Sequence, residues 1–154
     1  MLGSLPASFA GEVVCPGEPG YESARAVWNG MVDRHPALVA RPTSVADVVT
    51  ALRFARDHDL IVAVRSGGHS VPGLSTCDDG IVIDLLRMRG ARVDPERRTA
   101  YVNGGAHLGE LDDAAQAFGL VCPVGVVSHT GVAGLTLGGG MGRLQRKHGL
   151  TIDN

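Results

Sequence analysis

The chain has 154 residues, a net charge of −2 and a sequence pI of about 6.3, with 44% hydrophobic and 19% charged residues. These values are typical of one soluble globular domain at most, and they argue against a surface that coats nucleic acid. No apolar run approaches the roughly 18 residues of a membrane span, and residues 1–14 lack the basic start of a signal peptide. The composition therefore predicts a cytoplasmic protein with neither a membrane nor a nucleic-acid partner.

Glycine is the outlier of the composition, because its 22 residues are about 14% of the chain where about 7% is usual. Aromatic residues make up only 4%. Glycine allows sharp bends and close approaches that other residues do not. The excess predicts a backbone that lies close to a ligand or turns tightly in several places.

The three cysteines, Cys15, Cys77 and Cys122, are widely spaced and form no CxxC pair. Neither a disulfide framework nor a structural zinc site has this pattern. We expect free thiols in a reducing compartment and no metal site.

The first elements predicted along the chain are short. Residues Glu12 to Val14 have the pattern of a strand, and Ser23 to Trp28 that of a short helix. Two prolines bracket residues 37–40, an apolar run of strand length.

The clearest helix follows. Ser44 is a good N-cap with Asp47 at the third helical position. The helical spacing predicts an apolar face made of Val45, Val48, Val49, Leu52 and Ala55. Residues 60–64 are then apolar throughout, which predicts a strand buried on both faces and completes a βαβ unit.

Short strands are predicted in the second half over residues 81–85, 91–93 and 99–102. A helix is expected from about His107 to Phe118 because apolar residues recur there at helical spacing. Gly119 is a natural helix stop.

The first glycine-rich stretch, residues 65–70, reads RSGGHS directly after a predicted strand. Successive backbone N–H groups in such a turn can bind an anion, and Arg65, Ser66 and Ser70 offer further donors for phosphate oxygens. Taken alone, the loop is more typical of a tight surface turn.

The second glycine-rich stretch runs over residues 125–142, and eight of the glycines lie between Gly125 and Gly149. A P-loop is excluded because Arg143 and Leu144 stand where its glycines require Lys and then Ser or Thr. Residues 138–143 read GGGMGR, which does not fit the GxGxxG dinucleotide fingerprint. What remains is a long, nearly uncharged segment that presents backbone amides to a bulky, partly polar ligand.

Several segments together resemble one family: RPTSVADVVTALRFARDHDL, VAVRSGGHS, GGAHLGEL and GVVSHTGVAGLTLGGGMGRLQRKHGLTIDN. They are similar to the PCMH-type FAD-binding domain of the vanillyl-alcohol-oxidase/p-cresol-methylhydroxylase superfamily, and most of all to the group of berberine bridge enzyme and 6-hydroxynicotine oxidase. The resemblance implies an α+β fold, with a βαβ-containing N-terminal subdomain and the start of a second subdomain. It implies an N-terminal extension and domain start over residues 1–35, and an FAD-binding domain, truncated at its C-terminus, over residues 36–154.

The resemblance also implies the cofactor and its contacts. The pyrophosphate of FAD would be held by the first loop, which consists of Arg65, Ser66, Gly67, Gly68, His69 and Ser70. His69 would bond covalently to the flavin 8α-methyl carbon. The isoalloxazine ring would lie near Val127 and Ser128, and the flavin and diphosphate-ribose along Gly131, Gly134, Leu135, Gly139, Gly140 and Gly142.

Some family members bind flavin through a cysteine as well. Its place falls at Val127 in this chain, and Cys122 comes five residues too early. We therefore expect a single histidyl link and no cysteinyl link.

The implied activity is that of an FAD-linked oxidoreductase, in which a small organic substrate transfers a hydride to flavin. Family members are longer than this chain, and the resemblance places their catalytic residues and most of the substrate pocket in the additional length. No catalytic residue is therefore assigned here, and the chain alone is expected to be inactive. Two alternatives stay open: a split flavin-binding subunit that needs a partner chain, and a non-catalytic interaction protein on the same scaffold.

Overall fold

The computed structural model describes residues 4–154. The chain divides into two compact units, the first ending at Arg87 and the second comprising Met88–Asn154. Both units combine helices with strands, which confirms the α+β class. Within the described residues, no helix has the length and apolarity needed to cross a membrane.

The elements of the first unit are β1 (Glu12–Val14), α1 (Tyr21–Arg25), β2 (Leu38–Arg41), α2 (Val45–Asp57), β3 (Val62–Arg65), β4 (Ile81–Asp84) and a 3₁₀ turn (Leu85–Arg87). The strands form a four-stranded sheet with the order β1-β2-β4-β3. Strand β1 pairs antiparallel with β2, whereas β2 and β3 each pair parallel with β4. The βαβ unit predicted from the sequence is present, with β4 inserted between its two strands.

Helix α2 begins with the predicted cap. The Ser44 hydroxyl accepts a hydrogen bond from the Asp47 N–H at 3.2 Å, and the Asp47 carboxylate accepts one from the Ser44 N–H at 3.1 Å. Asp47 is also the acceptor for the Ala10 N–H at 2.8 Å and the Thr43 N–H at 3.0 Å. These backbone hydrogen bonds lower the pKa of Asp47 to about 2, and the bond from Ala10 contributes most.

The predicted apolar face of α2 is only partly correct, because Ala55 is buried and Val48 half-buried but the other three residues are exposed. The helix buries Asp47, Ala51, Phe54 and Ala55, and it leaves Val45, Val49 and Leu52 exposed. The hydrogen bonds that Asp47 makes turn its side chain inward, and residues four, seven and eight positions later share that face. A buried polar anchor therefore sets the orientation of the helix.

Strand β3 also differs from its prediction. Val62 and Val64 are exposed, and only Ala63 and Arg65 are buried. The strand is last in the sheet order, and its side chains alternate between a covered and an uncovered face. Strand β4 lies between two neighbouring strands, and all of its residues are buried.

The second unit contains an antiparallel hairpin and three short helices. Helix α3 confirms the predicted helix but ends two residues earlier than predicted, so that Phe118 lies outside it and is 52% exposed. Helices α4 and α5 were not predicted, because their residues show no extended apolar period. The elements are β5 (Ala91–Asp94), β6 (Thr99–Val102), α3 (Leu108–Gln116), α4 (Val132–Leu137), α5 (Gln145–His148) and a 3₁₀ turn (Thr151–Asp153). The core of this unit comprises Ala106, Leu108, Leu111, Val124 and Val132.

Candidate functional site

The first candidate loop, residues 66–70, leaves the carboxyl end of β3. Because β2, β3 and β4 run parallel, their carboxyl ends lie at one edge of the sheet, where open α/β sheets bind ligands. Gly68 has a φ of 71°, a left-handed conformation that favours glycine. Both the position and the local backbone of the loop therefore suit a ligand-binding turn.

Arg65 lies at the base of this loop and is 4% exposed. Its Nη2 donates to Asp84 Oδ2 at 2.7 Å and to the Ala24 carbonyl at 2.5 Å, and its Nη1 donates to the Ala26 carbonyl at 3.1 Å. Its guanidinium thus ties the ends of β3 and β4 to the chain around α1. A direct contact of Arg65 with phosphate stays a prediction.

Two donors at the base of the loop have no acceptor in the described part of the chain. These are Arg65 Nε and Ser66 Oγ, both buried. A buried donor without an acceptor costs about 1–3 kcal/mol, so an anionic oxygen that accepted from either would be strongly favoured. The two groups fit a phosphate-bearing cofactor such as FAD.

Ser70 has a local structural role. Its hydroxyl accepts a hydrogen bond from the Leu74 N–H at 3.0 Å, and its carbonyl accepts one from the Gly73 N–H at 3.1 Å. The residue therefore stabilises the turn that follows the loop. A contact of Ser70 with phosphate stays a prediction.

His69 is half-buried and stacks against the indole of Trp28, with 5.5 Å between the ring centroids and 22° between the planes. The backbone N–H of Trp28 donates to the Gly68 carbonyl at 3.1 Å. Sequence reasoning did not single out Asp84 as part of this site, and it did not connect Trp28 with His69. The one available signal was an aspartate at the end of an otherwise apolar strand.

The glycines of the second segment fall into two kinds. A Cβ on Gly142 would lie 1.8 Å from the Val124 carbonyl oxygen, and one on Gly140 would lie 2.2 Å from the Thr151 hydroxyl. A Cβ on Gly134 would meet no atom within 4 Å, and one on Gly139 only Leu150 Cδ1 at 3.8 Å. Packing within the unit explains Gly140 and Gly142, whereas the surface beside Gly134 is open to a ligand.

Val127 and Ser128 lie in a turn that precedes α4. The Val127 carbonyl accepts from the Thr130 N–H at 2.9 Å, and the Ser128 carbonyl accepts from the Gly109 N–H at 2.9 Å. The Val127 side chain is 42% exposed, and Leu135 in α4 is half-buried. The turn is thus anchored to the start of α3 and presents an apolar side chain to solvent. The cofactor contacts of the second segment, including Gly131, stay predictions.

An apolar cavity of about 750 Å³ lies elsewhere in the second unit. It is lined by the β5–β6 hairpin, α3 and α4, and Cys122 is one of its wall residues. None of the residues predicted to contact FAD lines it. Burial and the Asp112 carboxylate raise the pKa of the Cys122 thiol, which disfavours the thiolate that a flavin link would require.

Comparison with known proteins identifies the family. A family model described as the FAD binding domain matches residues 36–154. The (R)-6-hydroxynicotine oxidase of Paenarthrobacter nicotinovorans is 40% identical over 151 residues, which are 98% of this chain and 33% of the relative. Berberine bridge enzyme-like 18 of Arabidopsis thaliana is 38% identical over 123 residues, covering 77% of this chain and 23% of the relative.

Solved structures agree with the sequence matches. The crystal structure of 6-hydroxy-D-nicotine oxidase from Arthrobacter nicotinovorans gives a TM-score of 0.92 at 40% identity, over 97% of this chain and 33% of that one. BBE-like 1 of Physcomitrella patens gives a TM-score of 0.90 at 32% identity, over 96% of this chain and 33% of that one. The chain spans about a quarter to a third of the length of these relatives. It belongs to the FAD binding domain family of FAD-linked oxidoreductases, as its glycine-rich motifs predict.

Proposed function

We propose that this chain is the FAD-binding part of an FAD-linked oxidoreductase and that it holds FAD covalently through His69. The observation that carries the proposal is the loop after β3, in which His69 follows two buried donors without acceptors, Arg65 Nε and Ser66 Oγ. The matching family model and the FAD-linked relatives support the choice of cofactor.

The first loop would bind the pyrophosphate. The Ser66 hydroxyl and Arg65 Nε would donate to its oxygens, and Gly67 and Gly68 would let the backbone approach closely. The second segment would contribute the remaining contacts through Val127, Ser128, Gly131, Gly134, Leu135, Gly139, Gly140 and Gly142. The open surface at Gly134 supports a close approach there.

When bound, FAD supplies the two-electron redox chemistry that amino-acid side chains lack. The residues of this chain bind and orient the cofactor. A ring nitrogen of His69 would be joined to the flavin 8α-methyl carbon, so that the cofactor cannot dissociate. The exposed Val127 side chain offers the flavin ring an apolar contact.

The substrate and the complete activity belong to the proposal for the whole protein. We infer that it oxidises a small organic molecule, that the substrate-contacting residues lie outside these 154 residues, and that the chain alone is inactive. The coverage of only about a quarter to a third of each relative supports this division. We further infer a cytoplasmic location, with which three free cysteines agree.

The test is acid precipitation of the purified protein in its complete natural reading frame. The wild type should carry flavin into the precipitate, whereas His69→Ala should bind FAD and release it into the supernatant. His129→Ala, at a histidine in the other glycine-rich segment, is the matched control and should keep flavin in the precipitate. Acid-stable flavin in His69→Ala would refute the attachment site.

A further inference from the structure

Trp28 is a large aromatic residue that contributes little to a core, because it is 64% exposed. Its indole nevertheless has a defined partner in the His69 ring, at a centroid distance of 5.5 Å and an interplanar angle of 22°. Exposed aromatic side chains are ordinarily free to change rotamer, so a stacked pair at the surface restricts both rings.

Trp28 and Asn29 are hydrogen-bonded to the chain on both sides of His69. The backbone N–H of Trp28 donates at 3.1 Å to the carbonyl of Gly68, the residue immediately before His69. Asn29 Nδ2 donates to the Val71 carbonyl at 2.9 Å, two residues after it. Two residues of one segment therefore fix the loop at two points that flank the histidine.

Arg65 extends this attachment to the residues before Trp28. Its guanidinium donates to the carbonyls of Ala24 and Ala26, and the same group is fixed by Asp84 at 2.7 Å. Arg65 and Asp84 are both almost fully buried, so this end of the attachment is rigid. The segment from Ala24 to Asn29 acts as a brace for the His69 loop.

We propose that Trp28 is a positioning residue that fixes the plane of the His69 imidazole for covalent attachment to FAD. The inference rests on the proposed function. In the attachment, one flavin methyl C–H and the imidazole N–H are replaced by a C–N bond, and the two protons and two electrons pass to O₂ as H₂O₂. The reaction needs the ring nitrogen aimed at one carbon, and a ring held in advance loses less freedom on reaching that geometry.

The experiment measures the rate of covalent incorporation. Protein in its complete reading frame is produced under flavin limitation, FAD and air are supplied, and acid-stable flavin fluorescence is followed with time. Trp28→Ala should slow incorporation about 3- to 10-fold, which corresponds to the loss of one aromatic stack. Trp28→Phe should restore most of the rate, and Met31→Ala, a control at a residue that is 93% exposed, should match the wild type.

A second measurement separates positioning from binding. The FAD dissociation constant is determined in a His69→Ala background, with and without Trp28→Ala, and should differ less than about twofold between the two. Incorporation by Trp28→Ala at the wild-type rate, or a rate that falls only in proportion to weaker FAD binding, would overturn the inference. A wild type with no flavin on His69 would instead refute the proposed function, and this inference with it.

Discussion

The two glycine-rich segments have similar glycine contents and are held in place by different interactions. The first, residues 65–70, is fixed by polar contacts: the buried Arg65 guanidinium is bonded to Asp84, and the Trp28 backbone N–H donates to the Gly68 carbonyl. The second, residues 125–142, is fixed by close packing, since Gly140 and Gly142 leave no room for a Cβ. Glycine content alone therefore does not reveal why a glycine is needed.

The largest expected effect is at the polar contacts. Asp84→Ala would leave the Arg65 guanidinium buried without its carboxylate, which should cost about 3–5 kcal/mol of unfolding free energy. Urea unfolding monitored by circular dichroism measures this. Asp57→Ala removes an exposed ion pair with Arg56 and should cost less than about 1 kcal/mol. An equal loss of unfolding free energy in the two variants would show that the buried Arg65–Asp84 pair does not hold the loop.

The next effect distinguishes the two kinds of glycine in the second segment. Gly142→Ala forces a Cβ against the Val124 carbonyl and should cost about 1–3 kcal/mol, as overpacking does. Gly134→Ala fills open space within a helix and should leave stability unchanged or raise it by up to about 1 kcal/mol. Thermal unfolding gives the stability of both.

FAD binding by Gly134→Ala then tests whether that open surface serves the cofactor. Titration in a His69→Ala background should show weaker FAD binding despite the intact stability. Unchanged FAD affinity would remove Gly134 from the proposed site.

A further effect concerns the Asp47 cap, away from both glycine-rich segments. The pKa of Asp47, about 2, lies below the ordinary value of about 3.9. The contribution of its carboxylate to the free energy of unfolding is therefore complete above pH 4 and is lost as the pH falls toward 2. Asp47→Asn should flatten this part of the pH dependence of unfolding, measured by urea titration. Asp57→Asn, at the exposed end of the same helix, is the control and should keep the wild-type profile. A wild-type profile in Asp47→Asn would contradict the assignment.

Much of the fold was predictable, because caps and strand-length apolar runs are local signals. Ser44 with Asp47 located the start of α2, and the runs around β2 and β4 located two strands of the sheet. The face of α2 and the exposure of β3 were not predictable from hydrophobicity. They depend on long-range contacts, such as the bond from Ala10 to Asp47 and the place of β3 at the end of the sheet.

The candidate site shows the same limit. The RSGGHS motif identified the loop, yet no local pattern connects Trp28 with His69, which lies 41 positions later, or Arg65 with Asp84. These pairs form only when α1, β3 and β4 come together. Motifs therefore indicated which residues carry the chemistry, and the tertiary structure indicates which residues support them.

His69 is the proposed attachment site of the flavin. Mass spectrometry of tryptic peptides tests it directly, because cleavage after Arg65 and Arg87 isolates His69 in residues 66–87, and cleavage after Arg98 and Arg143 isolates Cys122 in residues 99–143. We expect a flavin mass on the first peptide, with fragment ions that assign it to His69. Flavin on the second peptide, or on neither, would contradict it.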